Sequence, residues 1–186
     1  MEKLEDGTII YSLQEAIQKF KECKPISLTA VESILLLLGS TGKPIHGRTL
    51  LMKELFLLQE EVLKKYLQNI PPEDMRFYGF RYGPYSSKVG KLLEELELLG
   101  YIERRGKKNT REESFSITDK GKRYIQRTLE QLPESLINEI RKHRIGWDEL
   151  GIDGILRYVY EHYPEFLDRS ELKEKYKGLT WGRGRG

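Results

Sequence analysis

Gly100 separates two kinds of periodicity. Before it, Val89, Leu92, Leu93, Leu96 and Leu99 recur at helical spacing, behind Ser86 or Ser87 as a cap and ahead of Gly100 as a stop. After it the apolar residues alternate. Tyr101-Ile102-Glu103-Arg104-Arg105 reads as a strand, Gly106-Lys107-Lys108-Asn109-Thr110 as a turn, and Glu113-Ser114-Phe115-Ser116-Ile117 as the return strand. The switch predicts an antiparallel hairpin over 104–117, packed beside the helix 86–99 with Phe115 and Ile117 turned inward. Thr118 or Asp119 then caps a further helix through Lys122, Tyr124, Ile125 and Leu129.

Upstream the pattern is helical. Ser12 caps a helix over 13–22, which Pro25 ends. Thr29 starts a second, through Val31, Ile34, Leu35 and Leu38, which is apolar on most of its circumference and so belongs at the centre of the core. Lys43-Pro44-Ile45-His46 is a short extended link. The longest helix spans 48–68, with Leu51, Leu55, Leu58, Val62 and Leu67, and Asn69-Ile70-Pro71-Pro72 breaks it. The aromatic run over 77–85, F-Y-G-F-R-Y-G-P-Y, is an extended loop or short strand. Leu35, Leu55, Leu92 and Leu96 are expected to be buried together.

Pro133 is the best internal boundary. Beyond it short helical segments are expected at 134–142, 152–162 and 170–177, bounded by Gly146, Gly151, Gly154 and Pro164. The organisation is thus an N-terminal helical extension (1–26), a main domain (27–132), a C-terminal helical segment (133–178) and a flexible Gly/Arg tail (179–186).

Composition narrows the class. The chain has 186 residues, 38% hydrophobic and 33% charged, enough for a core without staples. Its single cysteine, Cys23, excludes an internal disulfide framework and any cysteine-based zinc site, and fits a reducing cytoplasm. No apolar run approaches membrane-spanning length, and residues 1–7 lack the apolar stretch of an export signal, so a cytoplasmic protein without a membrane partner is expected. His46, His143 and His162 lack metal-ligand spacing, and no P-loop, dinucleotide fingerprint or nucleophile elbow occurs. The expectation is therefore no enzyme and no cofactor. The net charge of +3 does not imply nucleic acid by itself; the placement of the charges must decide.

The order helix, helix, extended link, helix, loop, helix, basic hairpin, helix, with Leu-Leu-Gly-Tyr-Ile-Glu before the hairpin and Phe-Ser-Ile-Thr-Asp-Lys-Gly-Lys after it, resembles winged-helix domains. The expected fold is mostly α with a small β-hairpin: a winged helix-turn-helix with extra N- and C-terminal helices. Leu51, Lys53 and Phe56, with Tyr82, Gly83, Pro84 and Ser86, also resemble the YwgA-type family and, more distantly, the Panacea (SocA-like) antitoxin domain. The latter resemblance implies toxin neutralisation and brings no catalytic residues.

Two functions follow. One is a DNA-binding transcriptional regulator. Arg104, Arg105, Lys107, Lys108 and Arg111, five cations within eight residues, would displace counterions along a phosphate backbone, while Ser86, Ser87, Lys88 and Lys91 start the helix that meets the groove. The same cations also suit an ordinary solvated turn, and Glu94, Glu95 and Glu97 limit how far that helix can enter. The alternative is a protein-interaction module on the same scaffold. Phe77, Tyr78, Phe80, Tyr82 and Tyr85 would pack a helix joint, form a protein contact or stack on bases. Ile155, Leu156, Val159 and Tyr160 suggest a homodimer seam. One face of contiguous positive charge favours DNA; an exposed aromatic patch flanked by acids favours protein.

Overall fold

A computed structural model describes residues 27–68, 71–110, 112–167 and 169–172, together with the backbone of 2–3 and 9–10. The helix expected over 13–22, the tail at 179–186 and Arg111 lie outside the described residues. The fold is mostly helical with a small antiparallel sheet. Strands β1 (Glu2–Lys3) and β2 (Ile9–Ile10) pair with each other.

Helix α1 (Ala30–Gly39) begins at a capping box. The Glu32 amide donates to Thr29 Oγ1 (3.2 Å), and the Thr29 amide donates back to Glu32 Oε2 (2.9 Å). Ile34 through Leu38 are all buried, so α1 is central, as its continuous apolar run dictates. The extended link becomes strand β3 (Ile45–His46). Helix α2 (Arg48–Leu57) runs on through a π turn (Leu58–Leu63) and a last α turn (Lys64–Tyr66). A tight hairpin follows, β4 (Tyr78–Phe80) and β5 (Gly83–Tyr85), and then α3 (Ser87–Leu98).

Strands β6 (Ile102–Arg105) and β7 (Ser114–Ile117) form the expected hairpin, with Ile102 opposite Ile117 and Arg104 opposite Phe115. Phe115 and Ile117 face the core, and β6 lies against α3. The link adds a third strand, since Ile45 pairs with Phe115 and His46 with Ser114, giving the order β3–β7–β6. Helix α4 (Asp119–Gln131) is capped by Thr118, whose Oγ1 accepts from the Gly121 amide (3.1 Å). Gly121 has a packing reason: a Cβ there would stand 2.2 Å from the Tyr101 carbonyl oxygen.

Past Pro133, α5 (Glu134–His162) comprises two helical stretches that meet at Gly151, whose backbone (φ 62°, ψ −175°) is not helical. The boundary expected at Gly151 and the segment expected over 152–162 are therefore found, while the segment expected over 134–142 runs on as far as that kink. Gly146 and Gly154 lie inside it, because burial against α1 and α2 outweighs their low helix propensity. Residues 170–172 are a turn rather than the start of a helix. The apolar core continues across Pro133, since Leu136, Ile140, Trp147, Ile155 and Val159 pack in the same cluster as Leu35 and Leu55. Ile155, Leu156, Val159 and Tyr160 are buried within this chain, so they do not supply a dimer seam. Among the described residues no helix is long and apolar enough to cross a membrane.

The inward face of α3 is centred on Val89, Gly90, Leu93 and Leu96. Leu92 sits at its edge, half-buried, and Leu99, past the end of α3, is exposed. Leu96→Ala is expected to cost ~2–5 kcal/mol in urea denaturation. Leu98, 87% exposed, should cost under about 0.5 kcal/mol when changed to Ala. Equal losses at the two positions would mean that the buried face is assigned wrongly.

Candidate nucleic-acid interface

The start of α3 is a tied corner. Ser86 is fully buried; its hydroxyl donates to the Met75 carbonyl and accepts from the Val89 amide (3.1 Å). That occupies it as a helix cap and removes it as a phosphate donor. Ser87 is exposed, and its hydroxyl meets the Tyr78 hydroxyl at 2.8 Å. Lys88 donates to Glu73 Oε1 and to the Asp74 carbonyl, each at 2.7 Å. The Lys88 hydrogen bond holds the Glu73 carboxyl below the usual range, helped by the Ala30 amide. Lys91 is exposed and makes no ion pair among the described residues.

The β6–β7 hairpin carries its own counter-charges. Arg104 meets Glu97 at 2.9 Å and Glu113 at 3.7 Å. Arg105 pairs with Glu103 at 3.0 Å, both well exposed. Lys108 pairs with Glu94 of α3, and this hydrogen bond pulls the Glu94 carboxyl below its ordinary value. Lys107, at the turn, is exposed and without an ion pair among the described residues. Between residues 87 and 118 stand seven basic and six acidic side chains, so the face joining α3 to the hairpin is close to neutral.

Sequence reading missed how Glu113 acts. Its carboxylate is buried and accepts from Arg48 at 2.9 and 3.3 Å and from the Asn109 amide at 3.1 Å. It closes the turn onto the first residue of α2 and at the same time offsets the charge of Arg104.

The aromatic run divides in two. Phe77 joins a buried cluster in which the Phe56 ring meets Phe77, Tyr163 and Phe166 edge-on, at 5.4, 4.8 and 4.8 Å. Tyr78, Phe80 and Tyr82 on the β4–β5 hairpin remain 40, 42 and 43% exposed. This hairpin is braced from both sides. Beneath it, buried Lys53 donates to the Pro84 carbonyl at 2.7 Å, and burial pulls its amine down to about 7. At the tip, the Arg81 carbonyl accepts from the Glu171 amide (2.9 Å) and Ser170 Oγ (3.0 Å). The Arg81 and Glu171 side chains pair at 3.2 Å. Lys53 and Pro84, picked out in separate motifs, therefore meet in space.

Next to Lys53, buried Glu54 meets Arg144 of α5 at 3.0 Å, and Arg144 also pairs with Asp148. Burial raises the Glu54 carboxyl to about 8 against the opposing field of Arg144. The signal for this pair was present: Leu50 to Met52 and Leu55 to Leu58 leave α2 no polar face on which Lys53 and Glu54 might lie. Comparison of the chain with models of known families and with curated proteins finds no match.

Proposed function

We propose that this chain is a protein-binding module on a winged-helix scaffold, with the β4–β5 hairpin as its main contact surface. The element order α1, β3, α2, α3, β6, β7, with β7 between β3 and β6, supports the scaffold reading: α3 stands where a recognition helix would, and β6–β7 is the wing. The observation that carries the function is the outward display of Tyr78, Phe80 and Tyr82 on a braced hairpin. Aromatic side chains dominate protein contacts because each buries a large area at little entropic cost. A hairpin held at its base and tip loses little further freedom on binding. The resemblance of the Leu51/Lys53/Phe56 and Tyr82-Gly83-Pro84 motifs to an antitoxin-like domain points the same way.

The test is photo-crosslinking in cells of the source organism, from a benzophenone residue at Phe80 and, as a control, at Lys107. A partner captured from position 80 should lose at least about tenfold in affinity for the purified Phe80→Ala/Tyr82→Ala variant, the scale of an aromatic hot spot. Capture from position 107 that ignores both substitutions would overturn the reading.

DNA binding is the second reading. It is favoured by Lys91 and Lys107, which have no ion pair among the described residues, and by the exposure of the Arg105–Glu103 and Lys108–Glu94 pairs, which contribute little and can exchange carboxylate for phosphate. Under it, random duplex binds at ~50 mM salt. Alanine at Arg105, Lys107 and Lys108 then flattens the plot of log K against log salt by roughly 0.9 for each phosphate no longer neutralised. Under the protein-binding reading the wild-type chain leaves duplex free at that salt.

A further inference from the structure

We propose that the cleft between the π turn of α2 and the middle of α5 binds a small organic cation, of the kind presented by an arginine or methylated lysine side chain. The site is separate from the β4–β5 hairpin and does not depend on what the hairpin binds.

The cleft holds about 260 Å3 and is lined by Glu61, Lys142, His143, Gly146, Trp147, Leu150 and Tyr158. That is below the ~300–1,000 Å3 of ordinary ligand pockets and suits a single side-chain head group. Two irregularities frame it. Glu61 lies in the π turn, a form concentrated at functional sites, and Leu150 immediately precedes the bend at Gly151.

The charge of the cleft comes from Glu61. Its carboxylate accepts from the Tyr163 hydroxyl at 3.0 Å and is hydrogen-bonded by Tyr158. Both phenols are held above their ordinary pKa, by burial first and then by Glu61, through its hydrogen bond and its charge, so both stay neutral donors. Glu61 has no ion pair among the described residues, so its negative charge is oriented without being neutralised. Lys142 does not cancel it: its side chain is 78% exposed and its nearest carboxylate is Glu139, at 3.9 Å. His143 also turns to Glu139, at 3.2 Å, while its ring lies 5.3 Å from that of Trp147. A carboxylate backed by tyrosine hydroxyls, with imidazole, indole and phenol rings beside it, is the chemistry that holds a weakly hydrated cation by charge and by ring faces together. The cleft is open at Gly146, where an added Cβ would meet nothing within 4 Å.

Fluorescence tests this directly, because Trp147 and Trp181 are the chain's two tryptophans. In a Trp181→Phe background, methylguanidinium chloride and tetramethylammonium chloride are titrated against sodium chloride of equal ionic strength. A saturable change in Trp147 emission with either cation, absent with sodium, is expected; the tighter binder identifies arginine-like or methyl-lysine-like heads. Glu61→Gln, which still accepts from Tyr163, should weaken binding about fivefold or more. Gly146→Leu starts from a Cβ that meets nothing within 4 Å, places its side chain toward the cleft and favours the helix, so it should abolish the signal while circular dichroism stays native. No saturable change in the parent, or equal affinity in both variants, would overturn the site.

Discussion

At about pH 9, where the Glu54 carboxyl has given up the proton it keeps up to about 8, Arg144→Met will lower the unfolding free energy by about 3–5 kcal/mol, the cost of leaving a charge buried after removing its partner. Arg144 and Glu54 are both fully buried, 3.0 Å apart, and neither side chain has a hydrogen-bond partner among the described residues. Each compensates the other's lost hydration, with Asp148 as the only further charge on the guanidinium among the described residues. Asp148 is partly exposed and can turn to water; Glu54 cannot. The double variant Arg144→Met/Glu54→Leu should recover most of the loss, since an apolar pair of similar volume needs no hydration. Urea denaturation of the two single variants and the double separates the cases. A near-neutral Arg144→Met would show that water reaches the pair.

Stability will pass through a minimum between about pH 7 and 8, for two opposed reasons seated on adjacent residues. Glu54 has a carboxyl raised from 4.5 to about 8. Between those values the unfolded chain has lost a proton that the folded chain keeps, so stability falls as pH rises, on the order of 1 kcal/mol per pH unit. Lys53 has an amine lowered from 10.5 to about 7. Between those values the unfolded chain holds the extra proton, so stability climbs again as pH rises. Glu54→Gln should remove the falling arm, and Lys53→Met the rising one. A flat profile from about pH 5 to 10 would mean that both groups titrate normally.

The hairpin after Gly100 was readable because alternation at Phe115 and Ile117 contrasts with helical spacing just before it, and both signals are local. The caps at Thr29, Ser86 and Thr118 were readable for the same reason. The partner of β3 was not: Ile45 and His46 make a two-residue strand, too short for a period, and only the folded chain brings Phe115 beside Ile45. The continuity of α5 through Gly146 and Gly154 comes from burial on α1 and α2, which propensity does not contain. At the site, the cations of the hairpin are a cluster in sequence as in space. The acids at 112 and 113 follow those cations directly and their diluting effect was legible; the pairing of Arg104 with Glu97 and of Lys108 with Glu94 across to α3 became visible only in space.

The placement of β7 in the middle of the sheet bears on how the chain assembles. The β6–β7 ribbon can close locally, with a short turn and a small entropic cost. Its other edge waits for Ile45, so that pairing must enclose α2, the aromatic hairpin and α3 in one large loop before it forms. Arg48 and Glu113 latch the same closure, as does the Gly47 amide donating to the Glu113 carbonyl at 2.6 Å. Once shut, the ribbon is stitched along both sides of its inner strand. It cannot swing as a free arm, so a partner or a groove meets a strand pair already fixed in place.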